Sequence, residues 1–88
     1  MQSVEERCRQ LERVQKEARD LFRAKNTDYG DAFAECGVVG VIVRIGDKLA
    51  RMRSVTARGI TLVEDEMLRD TLLDLHNYAA MAVALMDE

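Results

Sequence analysis

The chain has 88 residues and a formal net charge of −3, with hydrophobic residues at 48% and aromatics at only 5%. That length predicts one domain spanning residues 1–88, of a size that buries only ~60–65% of its unfolded surface. The acidic balance excludes a general nucleic-acid binder, which would be basic, but leaves room for a nucleotide site built from local lysines and arginines.

The chain has no Pro, and all five Gly fall between Gly30 and Gly59. Long uninterrupted helices around a Gly-punctuated middle follow, so the predicted class is all-α with three main helices. The first helix is expected over about Ser3 to Ala24. Ser3 with Glu6 forms a capping box. Val4, Cys8, Leu11, Val14, Ala18, Leu21 and Phe22 make one apolar stripe, and charged residues cover the rest. Lys25 projects from the stripe's side at the helix end, where a cation also suits the helix dipole. The charged start from Glu5 onward is not that of a signal peptide.

Asn26 to Cys36 reads as a turn-rich segment, with Asp28 and Gly30 as turn residues and Asp31 as the cap of a short helical turn. Tyr29 and Phe33 make it aromatic in a chain with four rings, so the segment is packed down or holds a ligand. Cys8 and Cys36 are too few and too unpatterned for a disulfide scaffold or a zinc site, and reduced thiols in a cytoplasmic protein are expected.

A second helix is predicted from Val38 or Val41 to Arg53. Val38, Ile42, Ile45, Leu49 and Met52 form a near-heptad seam, and Val39, Val43, Gly46 and Ala50 widen the apolar arc to roughly 200°. A strand over Val38 to Val43 is the alternative, because β-branched residues dominate there. So wide an arc implies a partner subunit, a homo-dimer or higher oligomer. The apolar run Val38 to Ile45 is too short to span a bilayer, so no membrane partner is expected. Gly59 marks the next connection. Thr61 with Glu64 makes a second capping box, opening a helix that runs to about Met86.

That last helix holds the strongest functional signal. At 100° per residue Glu66, Asp70 and Asp74 share an arc of roughly 80° with Asn77, bordered by Leu73, Ala80, Met67, Tyr78 and Leu85. Arg69 and His76 fall on the solvent side instead. Carboxylates placed in an apolar face need compensation. One reading is a Mg2+ site (Mn2+ as substitute) held by Glu66, Asp70 and Asp74, completed by Asp47, with Arg44, Lys48 and Arg51 meeting a triphosphate. The other is a buried ion-pair network joining the acids to Arg44, Lys48 and Arg51.

Three ordered blocks also resemble a known family. They are Lys25-Asn26-Thr27-Asp28-Tyr29-Gly30-Asp31, Arg44-Ile45-Gly46-Asp47-Lys48-Leu49-Ala50-Arg51, and Glu66 followed by Asp70 through Ala79. Together they resemble the nucleotide-modification-associated domain of type 1 of phages and bacteria, itself similar to the MazG-like all-α nucleotide pyrophosphohydrolases. The resemblance implies a helical bundle that cleaves a nucleoside triphosphate to the monophosphate and pyrophosphate with magnesium. Asp74 looks like the last Asp of the MazG-like acidic motif. The departures are Thr71 three residues before it and a single acid, Asp47, on the second helix. On this reading Asp47, Glu66, Asp70 and Asp74 hold the metal and activate water. Lys25, Arg44, Lys48 and Arg51 neutralise phosphates, while Asp28, Tyr29 and Asn77 complete the substrate set. The alternative is a non-catalytic helical interaction module whose acids pair with basic residues.

Overall fold

Ser3 opens the first helix by satisfying a backbone donor that the helix itself leaves orphaned. Its hydroxyl accepts from the Glu6 amide at 3.2 Å, and the Glu6 carboxylate accepts from the Ser3 amide at 3.1 Å. In the computed structural model, helix α1 runs from there over Val4–Tyr29. The structure describes residues 1–59 and 62–88, leaving aside the side chains of Tyr29 and of residues 62–65. The cap expected from Thr61 and Glu64 lies outside the described residues.

α1 is longer than its apolar stripe predicts, because nothing between Lys25 and Tyr29 forces a stop. Thr27 remains helical while its hydroxyl donates to the Arg23 carbonyl at 2.7 Å. The chain turns only at Gly30, whose φ of 68° and ψ of −159° lie where side chains other than hydrogen are strained.

Helix α2 spans Ala32–Ala57 and is broken once, at Gly37, with φ 69° and ψ 178°. The short turn Ala32–Cys36 therefore sits at an angle to the long segment that starts at Val38. Asp31 occupies the N-cap position but makes no capping bond with its side chain, which instead accepts from Asn26 Nδ2 at 3.5 Å. The strand alternative over Val38 to Val43 is not realised, and the whole run is helical. The seam's 3.6-residue periodicity outweighs the local preference of β-branched residues.

Helix α3 spans Leu62–Met86. The described residues contain no strand, and the protein is all-α. No helix among them is long and apolar enough to cross a membrane.

The principal packing is α2 on α3, with a smaller α1–α3 contact. Among the described residues the buried apolar side chains are few: Ala18 from α1, Val41 and Val55 from α2, and Leu73 from α3. Thr71 and Asn77 are buried with them, Thr71 donating to the Met67 carbonyl at 2.8 Å. Much of the predicted apolar surface stays open. Val39 is 75% exposed and Ile42 56%, and Leu11, Val43 and Val83 are exposed as well.

Candidate functional site

The extension of α1 past Ala24 places Lys25 on a helix and aims it across at α3. Lys25 Nζ donates to Asp74 Oδ1 at 2.9 Å, and Lys48 Nζ of α2 lies 3.4 Å from Asp74 Oδ2. One carboxylate thus joins all three helices. The Asp74 side chain is 17% exposed, against 53% for Lys25 and 27% for Lys48, so the pair partners keep water while the acid is largely enclosed.

Asp74 also faces a cavity of about 540 Å³ between the helices. Its charged walls are Lys25, Arg44 and Asp74, its amides are Asn26 and Asn77, and Phe22, Phe33, Val41 and Met81 supply apolar surface. Phe22 and Phe33 meet edge to face, with ring centroids 5.7 Å apart and planes at 70°. The volume falls within the usual range for small-molecule sites, roughly 300–1,000 Å³. With Lys48 beside Asp74, three cations stand against one carboxylate, a local positive surplus in an acidic chain.

The acid stripe itself is not enclosed as its apolar borders predict. Glu66 and Asp70 are exposed, and so is Met67 beside them. Both carboxylates therefore keep water, which relieves the repulsion that burial would have imposed. Asp47 is exposed on α2. Among the described residues no group of three or more His, Cys, Asp or Glu side chains is arranged to hold a metal ion. Asp74, the most enclosed of the four acids, is already occupied by two ammonium groups. The carboxylates among the described residues therefore do not fit the magnesium centre that the resemblance implies.

Of the cations expected in the ion-pair reading, Lys48 does meet Asp74, but Lys25 joins it in place of Arg44 and Arg51. Asp74 pairs with Lys25 and Lys48, while Arg44 lines the cavity and Arg51 is exposed. Asp28 is exposed and outside the cavity wall, and the Tyr29 side chain lies outside the described residues. Asn77 lines the cavity, yet its amide serves packing: Nδ2 donates to the Ala18 carbonyl of α1 at 2.9 Å, and Oδ1 lies 3.0 Å from His76 Nδ1.

Arg69 is exposed, as its helical phase predicts, but it is not idle. Its two terminal nitrogens donate to both Glu17 carboxylate oxygens, at 2.7 and 2.6 Å. This fork holds the Glu17 carboxyl below its ordinary value and raises the Arg69 guanidinium, in each case mainly through the hydrogen bond. Sequence reasoning also missed Phe22 as a cavity wall, because a ring within an apolar stripe reads as core.

The family described as Nucleotide modification associated domain 1 matches residues 25–86. The match starts at Lys25, contains α2 and α3 whole, and includes Lys48 and Asp74. The chain belongs to this family. Comparisons with curated proteins and with solved structures gave no match. Membership ties the chain to nucleotide modification and leaves the chemistry to be argued from the cavity.

Proposed function

We propose that this protein binds a nucleotide in the cavity between α1, α2 and α3, with its phosphates toward Lys25, Lys48 and Arg44. The observation that carries this reading is the cavity's composition, cations and amides beside a pair of aromatic rings, in a family associated with nucleotide modification. Phosphate oxygens would compete with Asp74 for the two lysines. The anchoring acid thus holds Lys25 and Lys48 in place until a more highly charged ligand arrives.

The activity we assign to that site is MazG-like: release of pyrophosphate from a nucleoside triphosphate, supporting nucleotide modification or pool control in the cytoplasm. Magnesium is the expected cofactor of such a reaction. Since the described residues of one chain do not gather carboxylates for it, acids from a second copy or from a rearranged α3 would complete a metal centre. Homo-oligomerisation belongs to the same proposal, supported by the open apolar face at Val39, Ile42 and Val43.

A second reading has its own supporting observation, the Lys25–Asp74–Lys48 ion pairs, which suffice to make Asp74 a structural tie in a non-catalytic interaction module. Thermal melting with nucleoside triphosphates, with and without magnesium or manganese, separates the two. A ligand that binds only the folded state raises its melting temperature. Stabilisation by nucleotide, together with pyrophosphate release, is the expected result. A flat melting temperature across all nucleotides and both metals would leave only the interaction module.

A further inference from the structure

A second, smaller cavity of about 230 Å³ adjoins the first, sharing Phe22, Phe33, Asn77 and Met81 with it. Ala80 and Ala84 complete an almost wholly apolar lining, in which Arg19, His76 and Asn77 are the polar side chains. One cavity therefore offers cations and its neighbour offers flat apolar walls, with the Phe22–Phe33 pair between them. That division matches the two halves of a nucleotide.

The hydrogen-bond chain at Asn77 fixes what the second cavity can recognise. The Ala18 carbonyl can only accept, so the group 2.9 Å from it must be the Asn77 NH2. The Asn77 oxygen then faces His76 Nδ1 at 3.0 Å, and because that oxygen only accepts, Nδ1 must carry the proton. In neutral His76 the lone pair is consequently on Nε2. The backbone of α1 thus selects, through Asn77, the tautomer of a ring that lines the cavity.

We propose that the smaller cavity is a nucleobase subsite in which the base packs against Phe22 and Phe33 and donates an N–H to His76 Nε2. The assignment rests on the nucleotide-binding reading above and deepens it: the ligand is a nucleotide whose base carries an exocyclic amino or ring N–H donor. His76 is here a specificity residue, and Asn77 a positioning residue acting through it.

Titration calorimetry tests this with inorganic triphosphate as the phosphate-only probe, beside triphosphates of the four common bases. The best-bound nucleotide should bind more tightly than inorganic triphosphate. Its analogue with the donor nitrogen blocked by methylation should lose about tenfold in affinity for wild-type protein, as expected for one lost hydrogen bond. His76→Asn retains a donor where Nδ1 stands and removes the Nε2 acceptor. It should lose a similar factor for the nucleotide and none for inorganic triphosphate, while His76→Gln, with an amide near the Nε2 position, should recover part of the loss. Equal binding of the nucleotide and its methylated analogue would overturn the subsite while leaving phosphate recognition standing. Absence of binding by every nucleotide and by inorganic triphosphate would overturn both.

Discussion

Asp74 sits where two explanations of an enclosed carboxylate give different numbers. A fully buried ion pair that loses one partner costs about 3–5 kcal/mol, because a charge is stranded away from water. Lys25 and Lys48 are not stranded in that sense, since their side chains keep 53% and 27% of their exposure. Asp74→Asn should therefore destabilise the protein by only about 0.5–1.5 kcal/mol in chemical denaturation, after discounting for solvent screening. The same substitution releases both lysines, so the affinity for inorganic triphosphate should rise rather than fall. A loss approaching 4 kcal/mol would instead identify Asp74 as the structural tie of a non-catalytic module. Gly37 gives a second residue-scale expectation. Its φ of 69° and ψ of 178° belong to a region open almost only to glycine, and a Cβ there meets no neighbouring atom, so strain alone sets the cost. Gly37→Ala should lose about 1–3 kcal/mol in the same assay.

At the level of elements, α1 is held to α3 by polar contacts more than by apolar area. Ala18 is its one buried apolar side chain among those described, and Asn77 reaches directly to the carbonyl of that residue. Asn77→Ala should cost about 1–3 kcal/mol, because it removes a buried hydrogen bond and deprives His76 of its partner. Its other expected outcome is faster amide exchange in α1 than in α2. The Glu17–Arg69 fork adds a pH dependence of definite sign. Glu17 titrates below its ordinary 4.5 when folded, so its contribution is present above that value and fades as pH falls through the lower folded value. Melting curves of wild type and Glu17→Gln should differ near neutrality and converge below pH 4.5; a constant offset would contradict the pairing. These contacts also mark how far the sequence was legible. Periodicity and glycines foretold three helices, a long second segment opening at Val38 or Val41, and the end at Met86. They could not foretell Lys25 meeting Asp74, since which helices cross at that point is not written in either helix's own pattern. Nor could a helical wheel reveal that Glu66 and Asp70 stay in water, because burial depends on whether another helix crosses that turn. Arg69 looked idle for the same reason: its partner lies 52 positions away.

For the whole molecule, surface area decides between a lone chain and an assembly. A compact monomer of 10.0 kDa is expected to expose roughly 5,200 Å², whereas this chain exposes 6721 Å². Its radius of gyration, 14.7 Å, likewise exceeds the roughly 12 Å expected of a compact domain of this length. The excess area, roughly 1,500 Å², is more than the ~800 Å² that each partner buries in an ordinary stable interface. Exposed apolar side chains contribute to it, among them Val39, Ile42 and Val43 on one face of α2. Self-association through that face would enclose this surface. Ile42→Glu is the informative variant, because Ile42 is 56% exposed in the single chain and a glutamate there costs the monomer little. Light scattering should find wild type as a dimer or larger, and Ile42→Glu as a smaller, still helical species by circular dichroism. A wild-type protein that scatters as a stable 10.0 kDa monomer at micromolar concentration would refute the assembly. Loss of helix in the variant at every concentration would show instead that Ile42 belongs to the core of the single chain.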